Sequence, residues 1–244
     1  MHEAVANPST TPLRVKLCGI RCQADLAIAL NAGADALGFI VGARHRTEDE
    51  LRPAAAAALV ATLPPFVSSV MVTHLQQATP IVELVRQVGA TTLQMQDAIK
   101  PEELRAIRSA LPAVKLIKAI HVGDRGSDGD SGERLISEPL KQALSTEPLV
   151  DALLLDSRTT DRIGGTGLPH DWAISRRIVE RIGKPVILAG GLRPENLEAA
   201  LEAVHPAAVD VNSGVEDPDG QKDAQRAHSF VRICRSWSKL PLTP

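Results

Sequence analysis

Residues 15–40 read VKLCGIRCQADLAIALNAGADALGFI, and this stretch decides the fold. Val15 to Leu17 is a short β-favouring run, ended by Cys18 and Gly19. From Gln23 to Ala32 apolar residues recur at helical spacing (Leu26, Ala29, Leu30). Gly33 stops that helix, and Ala36 to Ile40 is a second apolar run. Strand, helix and strand make one βαβ unit with parallel strands. Side chains alternate along a strand, so Lys16 and Cys18 share one face of the first one.

The unit repeats outward along the chain. Further strands are expected at 66–72, 92–95, 115–121, 152–155, 185–189 and 208–211. Helices are expected at 51–63, from 79 or 80 to 88, at 101–110, near 138–144, at 172–181, at 194–204, and from 221 or 223 to 237. Gly89 stops the third helix, and Pro101 with Glu102 and Glu103 suits the N-terminus of the fourth. Strict alternation implies a parallel sheet. Eight units over residues 14–238 match a single-domain (β/α)8 TIM barrel, whose active sites lie at the C-terminal ends of the strands. An open doubly wound sheet is the competing architecture, but it usually has fewer strands, and no G-x-G-x-x-G follows the first strand here. Residues 1–13 are polar, contain Pro and lack an apolar signal core, so they read as a flexible tail. The tract GDRGSDGDSG at 123–132 reads as a flexible insertion.

Composition removes several function classes. The chain has 244 residues, and its formal net charge of −2 gives no basic surplus for nucleic acid. Aromatic residues are 2% and Tyr is absent, so stacking platforms for single strands are missing. No apolar run approaches the roughly 20 residues of a membrane span. Three cysteines, Cys18, Cys22 and Cys234, fit free thiols in a reducing compartment, and a cytoplasmic location is expected. The seven His are scattered without zinc-ligand spacing, so no metal is expected. Monomer and homodimer both fit, because an Ala-rich helix such as 52–63 can face the barrel or a partner.

The strand ends carry the chemistry. The first offers Cys18, either a small buried hydrophobe or a reactive thiol at the catalytic rim. The fourth offers Gln94 and Gln96 on one face, either a satisfied core network or contacts to substrate. The sixth offers Asp156 after three leucines. Partial desolvation there raises a carboxyl pKa and suits a general acid, whereas a loop cap is the structural alternative. The seventh strand ends at Gly190 and Gly191, and the eighth at Asn212, Ser213 and Gly214. These are the two ends at which this fold most often holds phosphate. Asp210 shares a face with Asn212, and strands one and eight adjoin in a closed barrel, so Lys16 and Asp210 are expected to meet inside it. Their ion pair is structural or catalytic, and the ammonium favours thiolate at Cys18. Together these groups point to proton transfer on a sugar phosphate.

The motifs KLCGI, AGADALGFI, LLLD with GGTG and HDW, ILAGGLRPENL and VDVNSGVEDPDGQKD run in order from Lys16 to Asp223. On these the sequence resembles the phosphoribosylanthranilate isomerase family of tryptophan biosynthesis. The resemblance implies a cofactor-free Amadori rearrangement of N-(5-phosphoribosyl)anthranilate to 1-(2-carboxyphenylamino)-1-deoxyribulose 5-phosphate. It implies Asp156 as the acid and Cys18 as the base. Gly190, Gly191, Ser213 and Gly214 would hold the phosphate, and Asp210 would lie against the sugar. The family's PKSxR segment is replaced by VGARHRTEDE, in which Arg44 or Arg46 would take the anthranilate carboxylate. The family's xQLHG is replaced by LQMQD, so Gln94 matches while Gln96 and Asp97 depart. These departures leave a related N-substituted aminosugar phosphate as the alternative substrate. A non-catalytic sugar-phosphate-binding barrel is a further alternative, which the presence of both Cys18 and Asp156 opposes.

Overall fold

Lys16 stands opposite Ala36 on one side and Asp210 on the other, so the first strand joins the second and the last and closes a ring. The computed structural model describes residues 13–43, 48–123, 132–158 and 172–237. The strands are β1 (Arg14–Leu17), β2 (Ala36–Ile40), β3 (Ser68–Thr73), β4 (Thr92–Met95), β5 (Lys115–Gly123), β6 (Ala152–Arg158), β7 (Val186–Leu188) and β8 (Ala208–Val211). They form a closed parallel barrel in chain order, the (β/α)8 architecture expected from the alternation. Helices α1 (Gln23–Ala32), α2 (Pro53–Val60), α3 (Ala78–Val88), α4 (Pro101–Ala110), α5 (Gly132–Thr146), α6 (Trp172–Arg181), α7 (Leu197–Val204) and α8 (Ala224–Ser236) connect and follow them.

Period-two alternation divides the core. Outward-facing Leu17, Leu37, Phe39, Met71, Leu93 and Met95 pack with the helices. Inward-facing Val70, Val72, Ile117, Ala119, Leu154 and Ile187 fill the barrel. The α1 helix stops where Gly33 takes the left-handed conformation at φ 87°, and α3 stops likewise at Gly89 with φ 74°.

Several boundaries differ from the sequence reading. The third strand starts at Ser68, because Phe66, just after Pro64 and Pro65, sits fully exposed at φ 70° and out of register with β2. The second helix is confined to Pro53–Val60. The α5 helix begins at Gly132, at the end of the expected insertion, and runs through Pro139. The seventh helix starts at Leu197, because Asn196 turns back to accept the Arg193 N–H at 2.9 Å. The β6 strand continues to Arg158 by pairing with the end of β5, which places Asp156 within the strand. Two short 3-10 turns, Glu147–Leu149 and Ser213–Val215, have no counterpart in the sequence reading. Of the expected tail, only Leu13 is described, and it is buried. Of the expected insertion, only Gly123 and Gly132 are described.

Candidate active site

The face of β1 that points inward carries Lys16 and then Cys18. Lys16 Nζ lies 2.7 Å from Asp210 Oδ2, and both residues are buried. The expected ion pair is therefore present, fixed by the register that sets Lys16 against Asp210. Burial alone would lower the Lys16 pKa, but Asp210 and Cys18 outweigh it and hold the ammonium above its ordinary value. At Cys18 burial is the largest influence and pushes the thiol up. Lys16 pulls the other way, as expected, but burial outweighs it. Gly38 on β2 leaves the room for both side chains. A Cβ there would stand 2.6 Å from Cys18 Sγ and 3.0 Å from Lys16 Cε.

The inward residues of β4 reach toward β6. Gln94 Nε2 donates to Gln96 Oε1 at 3.1 Å, and Gln96 Nε2 donates to Asp156 Oδ2 at 2.6 Å. The two glutamines thus form a chain ending on the expected acid. Two buried acceptor atoms, Gln94 Oε1 and Asp210 Oδ1, have no hydrogen-bond partner among the described residues. Both belong to residues that line the central cavity, so a ligand rich in O–H or N–H donors suits them.

The rim is built from backbone. Gly190 and Gly191 take φ 80° and 65°, which L side chains rarely adopt. A Cβ on Gly214 would lie 1.8 Å from the Leu192 carbonyl oxygen, so the loops after β7 and β8 pack main chain on main chain. Asn212 has another task. Its Oδ1 accepts from Lys222 Nζ at 2.6 Å and its Nδ2 donates to Asp49 Oδ2 at 2.8 Å. Lys222 also bonds Glu216 Oε1 at 2.6 Å, and Asp49 faces Arg21 Nε at 3.7 Å. The Asn212 side chain is therefore committed to joining the β2 and β8 loops.

A cavity of about 420 Å³ brings together Cys18, Gln94, Asp156, Gly190, Gly191, Asp210, Asn212, Ser213 and Gly214. Lys16 lies one pleat deeper along β1 and reaches this site through Asp210. Arg44 and Arg46 lie outside the described residues. Sequence reasoning missed Asp49, Glu216 and Lys222 as members of the site, although Glu216 and Lys222 stand in the quoted VDVNSGVEDPDGQKD motif. Outside the cavity lining, Lys118 on β5 is buried opposite outward-facing Met95, and burial lowers its pKa to about 8 against the opposing pull of Asp97. Among the described residues no cluster of three or more His, Cys, Asp or Glu could hold a metal ion, and no helix is long and apolar enough to cross a membrane.

Comparison with known proteins follows the same geometry. The family model for N-(5'-phosphoribosyl)anthranilate isomerase matches residues 15–233. A protein of Methanosarcina mazei named N-(5'-phosphoribosyl)anthranilate isomerase 2 is 38% identical over 226 residues, covering 92% of this chain and 95% of the relative. The crystal structure of phosphoribosyl anthranilate isomerase from Thermotoga maritima superposes with a TM-score of 0.77 at 29% identity, covering 92% of this chain and all of that one. A phosphoribosyl anthranilate isomerase in complex with reduced 1-(o-carboxyphenylamino)-1-deoxyribulose 5-phosphate gives a TM-score of 0.74 at 28% identity, covering 92% of this chain.

Proposed function

The chain belongs to the N-(5'-phosphoribosyl)anthranilate isomerase family of tryptophan biosynthesis and is an isomerase, and we propose that it works by acid–base catalysis with Asp156 as acid and Cys18 as base. The observation that carries this reading is the shared cavity, which Cys18 enters from β1 and Asp156 from β6 beneath the glycine loops of β7 and β8. In the first step Asp156 gives its proton to the ribose ring oxygen, the C1–O bond breaks, and the nitrogen lone pair forms a protonated Schiff base. Cys18, as thiolate, then takes the proton from C2 to give an enolamine. Protonation at C1 and loss of the O2 proton give the 1-amino-2-ketose. Protons and electrons balance without a cofactor.

Each proton transfer by a positioned side chain contributes about 10²–10⁴-fold. Lys16 supports the thiolate once it forms, because its ammonium opposes the effect of burial. Gly190, Gly191, Ser213 and Gly214 offer backbone N–H groups to the phosphate. Gln94 Oε1 and Asp210 Oδ1 accept from the sugar hydroxyls or the bridging amine. Arg44 or Arg46 takes the anthranilate carboxylate. A cytoplasmic location accords with the three cysteines, which are free.

The test is loss of phosphoribosylanthranilate fluorescence on adding purified protein. The expected result is turnover at ordinary enzyme rates, about 1–10³ per second. A folded protein that binds inorganic phosphate but leaves the fluorescence unchanged would overturn the anthranilate assignment. It would move the reading to another N-substituted aminosugar phosphate.

A further inference from the structure

We infer that Gln96 is a positioning residue for the acid Asp156, held in one orientation by Gln94. The inference rests on Asp156 acting as the acid. An amide group is directional: Oε1 only accepts and Nε2 only donates. Gln94 Nε2 donates to Gln96 Oε1 at 3.1 Å, which leaves the Nε2 end of Gln96 to meet Asp156 Oδ2 at 2.6 Å. Asp156 Oδ2 thereby receives its hydrogen bond from an amide end that can only donate.

The backbone of Gln96 is pinned as firmly as its side chain. Its N–H donates to the Thr73 carbonyl at 2.9 Å. Its carbonyl accepts from His121 Nε2 at 3.0 Å and from Lys118 Nζ at 3.4 Å. Two neighbouring strands, β3 and β5, therefore hold a residue whose side chain has one task at each end. A core-filling glutamine needs no such alignment with a cavity carboxylate.

A donor on a carboxylate favours its charged form. Removing the Gln96 donor therefore raises the Asp156 titration midpoint and misaligns the proton. The other titratable groups around the cavity are Cys18 on β1, Asp49, His74, Asp210 on β8 and Glu216, with Lys16, Asp97, Lys118 and His121 behind them. Of these, His121 and Lys118 bond the Gln96 main-chain carbonyl, which a side-chain substitution leaves in place.

The experiment follows the Asp156 carboxyl by carbon-13 NMR titration, beside kcat and KM, in the parent, Gln96→Met and Gln96→His. Gln96→Met is expected to raise the midpoint by about half a pH unit or more and to lower kcat about tenfold, with KM within about threefold. Gln96→His returns an N–H donor and is expected to restore most of both. An unchanged midpoint and kcat in Gln96→Met would overturn the inference. So would an equal fall in kcat for both variants with no movement of the midpoint. If Gln96→Met does not fold, Gln94→Met provides the second probe, since it frees the Gln96 amide to turn and is expected to raise the same midpoint. If it does not, the inference is overturned. Failure of the parent to turn over substrate would strike the isomerase reading instead, while the NMR arm still tests the glutamine pair.

Discussion

Cys18 sits between two opposing influences, and their balance is measurable. Burial raises its pKa, and the Lys16 ammonium lowers it by less. Because the thiolate is the reactive form, alkylation of Cys18 follows its ionisation. We expect the iodoacetamide rate at Cys18, mapped by mass spectrometry in a Cys22→Ser background, to rise with pH with a midpoint above the ordinary thiol value of about 8.5. A midpoint below that value would mean that Lys16 dominates. At this scale much was legible from sequence. Cys18 and Asp156 follow from asking what each strand end offers, and the Lys16–Asp210 pair follows from closing the ring. The sign of the Cys18 shift was not legible, because it depends on burial that a strand pattern does not quantify. The Gln94–Gln96 face was legible too, but the partner on β6 was not, since Gln96 and Asp156 are 60 residues apart.

Among elements, the loop after β8 is held by a charge network as well as by the buried Val215. The Lys222 side chain is fully buried and binds Asn212 Oδ1, the Asn212 carbonyl and Glu216. A Cβ on Gly19 would lie 2.2 Å from Asn212 Oδ1, so that glycine makes room for the hub of the network. Breaking a buried pair by removing one partner leaves the other charge uncompensated, at a cost of about 3–5 kcal/mol. Lys222→Met is therefore expected to lower unfolding free energy by about that amount in urea titration, and a loss below about 1 kcal/mol would show the network to be marginal. The element boundaries also separate what local chemistry decides from what pairing decides. Helices α1, α4 and α6 fall where glycine, proline and periodicity place them. The ends of β3 and β6 do not, because neighbouring strands set them. The Asp49–Asn212 bond spans 163 positions and leaves no local trace.

The whole molecule is fastened at the end opposite the site. Asp35 accepts from the Val15 N–H and from Arg235 at 2.8 Å each, and from Arg14 at 2.9 Å, tying β1 to the last helix. Burial would raise the Asp35 pKa, but these bonds more than offset it and hold the carboxyl below the usual value. A depressed folded pKa contributes stability that is fully present above the unfolded carboxyl value, about 3.9, and is lost as pH falls through the lower folded value. Asp35→Asn is expected to cost about 1–3 kcal/mol at pH 7, with the difference from the parent shrinking below about pH 4. A difference that stays constant down to pH 2 would contradict this account. The barrel itself was legible because eight βα units repeat with the same punctuation.

The most direct measurement is the turnover of phosphoribosylanthranilate by Cys18→Ser and Asp156→Asn, singly and together, beside the parent. If the two residues act as one acid–base unit in one cavity, each single variant loses about 10²-fold or more in kcat, and the double variant loses far less than the product of the two. Retention of parental kcat by either single variant would remove that residue from the chemistry and contradict the account.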